Sequence, residues 1–446
     1  MKEYTVAFLS LGCKVNSYET EAMREMFEAE GYQTVKFKDI ADVYVVNTCT
    51  VTNMADHKSR QMLHQAKKRN PEAIIAAVGC YVQAAEEALL EDRSVDIVVG
   101  NNKKSDIVAL VERFRESNKK EELIVDMNLE REYETLSVSA TADKTRAFIK
   151  IQDGCNRFCS YCIIPYVRGR ARSREEEEIL SEVTELSKKG YKEIVFTGIH
   201  ISSYGFDLKS GEDNDSHRMP LVELITKVSK IDGIIRIRLG SLEPGIVTRE
   251  FVKAIAEVDS FCPHFHLSLQ SGSNSTLQKM NRKYSTEQFY EKTLLIKEFF
   301  DNPAFTTDVI VGFPGETGED FEMTKQFVQK VGFSDIHVFK YSKRAGTKAA
   351  DMPDQIAEEI KNSRSIELIS IANQMSKEYK ATFLGRIEKI LLEENITIEG
   401  NTYQVGHNER YLKLAILSIE DESNQIINAR VCSDLTKEIM LCKIID

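Results

Sequence analysis

Short β-branched runs separated by polar, helix-length stretches recur from Tyr4 to Tyr341, and this alternation constrains the fold more than any other feature of the chain. "YTVAFLSL", "DVYVVNT", "AIIAAVG" and "VDIVVG" fall within the first hundred residues, and 17–30 and 53–69 read as helices between them. A strand that must pass through a helix before the next strand cannot make a hairpin, so its partner runs parallel. Parallel sheets are covered on both faces, which is why these runs are almost wholly apolar. A doubly wound sheet is expected here. From Ala147 onward six more such runs follow: "AFIKIQ", "EIVFTGI", "IIRIRLGS", "HFHLSLQS", "TTDVIVGF" and "IHVFKYS". Helices are expected between them over 174–190, 221–230, 286–300 and 318–331. Six βα units make a partial (βα)6 barrel, related to the eightfold barrel but short of closure.

After a helix near 360–379 the pattern changes to short alternating runs such as "TYQVGH" and "RYLKLAILSIE", which read as a small all-β module. Between sheet and barrel lies a polar tract. The expected boundaries are therefore 1–110 for the first domain, 111–145 for a linker, 146–375 for the barrel and 376–446 for the β module. No apolar run reaches membrane-span length and no signal peptide is evident, so a cytoplasmic location and no membrane partner are expected. In that compartment nine cysteines favour metal or redox chemistry over disulfides. A net charge of -11 offers no global attraction for nucleic acid, so any RNA partner must use local patches.

"CNRFCSYC" places Cys155, Cys159 and Cys162 just after the first barrel strand, at the end where such folds put their chemistry. Structural zinc usually takes four protein ligands, and this loop offers three thiolates and no histidine. A four-iron cluster held by three cysteines leaves one iron open for a substrate or cofactor. The alternatives are zinc completed by a distant ligand, or three buried thiols. Cys13, Cys49 and Cys80 form a second set, in "LGCKVN", "VNTCT" and "AVGCY", each directly after a strand of the first domain. In a doubly wound sheet the carboxyl ends of the strands line one crevice, so residues far apart in sequence can converge there. Gly12 and Gly79 would ease tight turns beside them. Three ordinary buried cysteines are the alternative.

The CxxxCxxC loop with Tyr161 before its last cysteine resembles the signature of radical S-adenosylmethionine enzymes. Together with "GCKVNSYETEAM", "NTC", "VGC", "TDVIVGFPGET" and "YSKRAGTKAA", the resemblance extends to the methylthiotransferase family over nearly the whole chain. It implies a flavodoxin-like first domain, a radical S-adenosylmethionine barrel and a TRAM-like module. It further implies two 4Fe-4S clusters, one on each trio, each with an open iron. S-adenosylmethionine would serve as methyl donor and radical source, inserting a methylthio group at a C–H bond. "LGCKVNSYE" is most like the MtaB-type branch, which acts at carbon 2 of N6-threonylcarbamoyladenosine in the anticodon stem-loop of tRNA. The isopentenyladenosine branch reads closer to GCQMN and the ribosomal-protein aspartate branch closer to GCPKN; Ser17 stands where the MtaB pattern usually has glutamine. A sulfur donor and a low-potential electron donor are implied as partners. A reading from another class is a zinc-stabilised RNA-binding protein without catalysis.

By the same resemblance, Gly198 meets the methionine amino group, Gln270 the ribose or amino acid portion and Gly312 the adenine. Arg282 pairs with the cofactor carboxylate, a geometry its fork suits. A turn glycine, a surface amide or a solvated arginine is the ordinary role at each position. Glu316 is expected to cap the following helix or to touch cofactor. Residues 144–174 carry eight Lys or Arg and one acid, Asp153. Arg157, Arg168, Arg170, Arg172 and Arg174 are expected either around the reaction mouth, for phosphates, or on a solvated face offset by Glu175–Glu178. Lys58, Arg60, Lys67, Lys68 and Arg69 make a second basic group on a helix. From Lys380 to Asp446 there are eight Lys or Arg against eleven Asp or Glu, so the β module is not basic. Cys262, Cys432 and Cys442 are expected to be buried thiols. His264 and His266 share a strand face bordering the barrel interior, in a core role.

Overall fold

The computed structural model describes residues 4–139, 145–208, 218–418 and 420–445. Strands β1 (Thr5–Ser10), β2 (Gln33–Val35), β3 (Val43–Thr48), β4 (Ile74–Gly79), β5 (Ile97–Val99) and β6 (Glu121–Leu123) form one parallel sheet in the order β2-β1-β3-β4-β5-β6. Every residue of β3 and β4 is buried, as expected of central strands covered on both faces. Apolar layers fill both sides, Leu63, Ile75 and Tyr81 on one and Phe27, Val45 and Leu110 on the other. The strand order reverses between β1 and β3, so the loops after these strands flank the crevice that such sheets use for ligands.

The helix Asn53–Arg69 has the bounds expected from its sequence. Its start is set by Thr52, whose side chain accepts the Ala55 N–H, and three cations in the last turn suit the helix dipole. Strand β6 falls within 111–145. Its sequence, "EEL", carries no apolar alternation because it is a sheet edge, and it pairs with β5 nonetheless.

Strands β7 (Arg146–Asp153), β8 (Arg172–Ser173), β9 (Glu193–Gly198), β10 (Arg236–Leu239), β11 (His264–His266), β12 (Ala304–Val311) and β13 (Asp335–Lys340) build the central body. The order β10-β9-β7-β8 makes one arc and β11-β12-β13 another. Parallel bridges Ile237–Phe261 and Leu242–Leu267 join them. All six long strands run parallel and β8 folds back antiparallel on β7, which leaves an unclosed barrel. The first domain's helix Lys14–Ala29 lies against β7 and β9.

A 24-residue helix, Glu358–Ala381, leads to a closed five-stranded barrel. Its strands are β14 (Ile387–Ile398), β15 (Asn401–His407), β16 (Lys413–Leu417), β17 (Ile426–Asp434) and β18 (Ile439–Ile444), in the order β14-β15-β16-β18-β17. None of the nine cysteines is in a disulfide; Cys262 and Cys442 are buried as expected, whereas Cys432 is exposed. On β17 it follows the outward phase of the strand, between the buried Val431 and the exposed Ser433. Among the described residues no helix is long and apolar enough to cross a membrane.

Candidate active site

The loop after β7 turns on Gly154, whose φ is +70° and whose missing Cβ leaves room for the Arg170 carbonyl to close against it. Cys155 N–H donates to Gly169 O and Cys162 N–H to Cys159 O, both at 3.0 Å. Ser160 N–H donates to Met280 O, and Asn281 Nδ2 to Phe158 O, tying the loop to the segment beyond the helix Asn274–Lys279. The Arg282 guanidinium donates to Cys159 Sγ at 3.2 Å and the Arg157 N–H to Cys155 Sγ at 3.4 Å. Burial pushes the Cys155 thiol up to about 11 and that of Cys162 up to about 12, and Cys159 raises both. Three soft sulfur donors with N–H groups aimed at two of them fit a thiolate-bound iron–sulfur group. Among the described residues no set of three or more His, Cys, Asp or Glu is arranged to hold a single metal ion.

In the first domain Cys13 follows β1 and caps the helix Lys14–Ala29, Cys49 follows β3, and Cys80 begins the helix Cys80–Ala84 after β4. Gly12 and Gly79 both have φ +95°. A Cβ on Gly12 would stand 2.6 Å from Cys49 Sγ, so the backbone carrying Cys13 lies directly on the Cys49 thiol. The three thiols act on one another: Cys80 and Cys13 both raise Cys49, which burial already pushes up to about 11. Solvent reaches Cys13, but the crowded crevice desolvates its thiol and raises it as well, against the pull of Arg168. The second trio thus converges at the strand ends.

Just beyond the first trio, Arg168, six residues after Cys162, reaches the second. It is fully buried. Its Nε donates to Cys80 Sγ at 3.2 Å and its Nη2 to Asn16 Oδ1 at 2.7 Å; Nη1 pairs with Glu19 and Asp153, both at 2.9 Å. Glu19 also receives Lys150 at 2.8 Å and Lys104 at 3.2 Å, and all three side chains have at most 1% exposure. Asn101 Nδ2 bridges Cys80 Sγ (3.6 Å) and Val167 O (2.7 Å), while Cys80 packs on Ile163 and Val167. Burial alone would push the Glu19 carboxyl up, but Arg168, Lys104 and Lys150 outweigh it and hold it well below the usual carboxylate range.

This corrects both sequence readings of the arginine run. Arg168, Arg172 and Arg174 neither face solvent nor ring the mouth; they are buried, with Arg174 paired to Glu182. Arg146 on β7 pairs with Glu193 at 2.7 Å and Glu393 at 2.6 Å. Arg157 remains exposed and Arg170 partly so, the latter over the Phe158 ring at 4.4 Å. Lys144 lies outside the described residues. In the helix Asn53–Arg69, Arg60 donates to Tyr81, Lys67 pairs with Asp96 and Arg69 donates to Phe37 O, which leaves Lys58 and Lys68 as its outward cations.

Tyr161, Cys162 and Gln270 line a cavity of about 260 Å³ with Val51 and Thr52, which follow Cys49. It therefore opens between the two cysteine loops. Gln270 holds φ +69° and its N–H donates to Asp308 O. Tyr161 meets Phe313 edge-on at 6.4 Å. Gly198 ends β9, tight against Gln152 O and Ile201. At Gly312 the space for a side chain is filled by Lys361, and its N–H goes to the Glu316 carboxylate at 3.1 Å. Glu316 does not cap the next helix: Thr317 and Asp320 form that capping box, and Glu316 pairs with Arg364 at 2.5 Å. Burial raises its carboxyl.

The sequence reading missed several groups around this site. Glu243, buried just after β10, pairs with Arg157, with His200 at 3.3 Å and with Arg282 at 3.8 Å. A lone acid at the carboxyl end of a barrel strand was the available signal. Asp308 on β12 holds His266 and His337, both at 3.3 Å. His264 and His266 do share a face, both near Thr306 Oγ1. Lys14 turns towards the barrel, with Nζ 4.9 Å from the Phe148 ring centroid on β7. Solvent reaches it, yet crowding of its ammonium, then repulsion by Arg146 and Arg238, lowers its pKa to about 8.

Two family models match the chain: one described as the radical SAM superfamily over residues 149–328, and one described as Uncharacterized protein family UPF0004 over residues 5–100. A protein of Bacillus subtilis (strain 168), threonylcarbamoyladenosine tRNA methylthiotransferase MtaB, is 42% identical over 429 residues, covering 96% of this chain and 93% of that one. The tRNA-2-methylthio-N(6)-dimethylallyladenosine synthase of Thermoanaerobacter pseudethanolicus is 39% identical over 390 residues, 86% of this chain and 80% of its own. The structure of the radical S-adenosylmethionine methyltransferase TsrM from Kitasatospora setae, with cobalamin and a 4Fe-4S cluster bound, superposes with a TM-score of 0.57. That match is 13% identical and covers 78% of this chain and 77% of the other, a likeness of fold.

Proposed function

The chain belongs to the radical S-adenosylmethionine methylthiotransferases, enzymes of tRNA modification, and we propose that within them it methylthiolates carbon 2 of N6-threonylcarbamoyladenosine beside the anticodon. The observation that carries this reading is the approach of the two cysteine loops: Cys162 lines one cavity with Val51 and Thr52, which follow Cys49, and Arg168, beyond the first loop, donates to Cys80 of the second trio. A single trio would suffice for radical formation; a second one, whose loop after Cys49 borders the same cavity, would supply a place for the sulfur to be inserted. The choice of threonylcarbamoyladenosine is supported by the 42% identity to the Bacillus subtilis enzyme, whereas the dimethylallyladenosine reading has the 39% relative in its favour.

In this reading Cys155, Cys159 and Cys162 hold one 4Fe-4S cluster and Cys13, Cys49 and Cys80 the other. When bound, the first cluster and S-adenosylmethionine supply a carbon-centred radical able to take hydrogen from an unactivated C–H bond. The chain's own groups do the rest. Arg282 and the Arg157 N–H donate to sulfurs of the first trio, and Arg168 and Asn101 to Cys80; such donors stabilise charge on the thiolates and tune the cluster potential. Tyr161, Phe313, Tyr341 and Met280 form an apolar wall behind the loop that keeps water from a reactive radical. Gly198, Gln270 and Gly312 are assigned to the cofactor's methionine and adenosyl ends. Residues 1–110 carry the sulfur site and 146–375 the radical site, with 376–446 a TRAM-like module. A sulfur donor and a low-potential electron donor complete the reaction.

Anaerobic reconstitution tests the cluster assignment. We expect about eight irons per wild-type chain, from two four-iron clusters, and about four when either trio is changed to alanine. C49A should lose methylthio product but still cleave S-adenosylmethionine; complete loss of cleavage with the first trio intact would refute the division of roles. Nucleoside analysis of tRNA from cells lacking the protein tests the substrate: unchanged 2-methylthio-threonylcarbamoyladenosine, with no paralogue present, rules it out.

A further inference from the structure

Three arginines cluster on the first barrel strands. Arg146 on β7 and Arg236 and Arg238 on β10 share Glu193 at 2.7, 3.8 and 3.0 Å, and Arg146 also takes Glu393 at 2.6 Å, so three guanidiniums stand against two carboxylates. Arg238 and Arg236 spend their remaining N–H groups on backbone carbonyls of the β module, at His407, Asn408, Glu409 and Lys389. Lys14, the residue next to Cys13, reaches over β7 from the first domain. Its ammonium stands over the Phe148 ring at 4.9 Å and has no hydrogen-bond or ion-pair partner among the described residues, although solvent reaches the residue. An ammonium over an aromatic face, near guanidiniums already committed to Glu193 and Glu393, offers three free donors to an anion.

We infer that Lys14 is the specificity residue that binds the carboxylate of the substrate's threonylcarbamoyl group. The inference rests on the substrate reading above. Of the two candidate nucleoside substituents, threonylcarbamoyl ends in a carboxylate; a dimethylallyl group is pure hydrocarbon and would leave the ammonium unpaired. An RNA phosphate or the cofactor carboxylate offers the same chemistry, so the test separates them.

The measurement is equilibrium binding of fluorescent anticodon stem-loops to the full-length, reconstituted protein without oxygen. Three stem-loops are compared: one with threonylcarbamoyladenosine, one with its carboxyl amidated, and one with plain adenosine. Wild type should prefer the acid to the amide by about tenfold or more, as charge-assisted hydrogen bonds do. K14Q should erase that preference and K14R restore most of it, with iron content and thermal melting matching wild type. Equal weakening of all three stem-loops by K14Q would mark a phosphate contact, and weakened binding of S-adenosylmethionine alone a cofactor contact; either overturns the inference. Wild type that methylthiolates threonylcarbamoyladenosine yet ignores amidation also overturns it, while leaving the substrate reading intact. Wild type that neither prefers nor modifies threonylcarbamoyladenosine sinks the substrate reading itself.

Discussion

Glu19→Gln changes one charge and almost no volume, at a carboxylate with no exposed surface. Wild type balances three cations, Arg168, Lys104 and Lys150, against two carboxylates, Glu19 and Asp153, an excess of one. The substitution leaves three cations against one carboxylate. Removing one member of a buried pair costs about 3–5 kcal/mol, and no cavity term adds to it. Lys104 sits on the first domain and Lys150 on β7, so the loss falls on the contact between domains. Hydrogen exchange read by mass spectrometry at the amides of Lys14–Ala29 and β7 should then accelerate about a hundredfold or more, at 1.4 kcal/mol per factor of ten. Adding Lys104→Met returns the excess to one and should recover part of the protection, a coupling that a double-mutant cycle isolates. The pH dependence follows the same logic. Because the folded carboxyl lies well below its ordinary value, its stabilisation is fully present above that value and drains away as the pH falls below it. Acceleration of less than about fivefold, or strict additivity in the double variant, would show that the network does not hold the domains together.

Gly154→Ala puts a methyl group onto the Arg170 carbonyl at a φ of +70°, so the cysteine loop must open; we expect loss of about half the reconstituted iron, and full iron would refute the packing argument. His337 is pushed up to about 10 by its hydrogen bonds to Asp308 and Asp335. Its stabilisation is fully present below the ordinary histidine value and lost as the pH rises from there to about 10. His337→Gln should therefore flatten the fall of melting temperature over that range, and parallel wild-type and variant curves would exclude the pair.

The longer strands and the placing of each cysteine trio at strand ends were legible because local residue types decide them; the short β2, β6 and β8 carry no such run. Apolar β-branched runs decided the longer parallel strands, and the helix Gly318–Val331 has the bounds its sequence indicates, although its cap is Thr317 with Asp320 and not Glu316. Each trio lies where strand ends meet, a matter of topology once the alternation is known. The arginine run was not legible, since charge type along a chain does not say which way a side chain points. Arg168, Arg174 and Arg146 look solvated until Glu19, Glu182 and Glu193 are brought against them, and for Arg168 the acid comes from another domain. Lys14 escaped for the opposite reason: it reads as a helix-start lysine, and only the placement of the first sheet across the barrel aims it inward.

A buried charge network is not the most stable way to join two domains; well-packed apolar residues of similar volume often do as well or better. What it adds here is direction. Every nitrogen of the Arg168 guanidinium is committed, Nε to Cys80, Nη1 to Glu19 and Asp153, Nη2 to Asn16 and Glu19. Asp153 lies two residues before Cys155 and Arg168 six after Cys162, so the base of the cysteine loop and the second trio are fixed to one planar group. Apolar contact tolerates sliding, whereas a planar fork with hydrogen bonds at three nitrogens does not. Chemistry that passes between two sites suffers about a hundredfold from a displacement of about 1 Å. The network's excess positive charge also faces Cys80, a sulfur that carries negative charge when it ligates iron. On this argument the guanidinium sets both the spacing of the two trios and the charge between them.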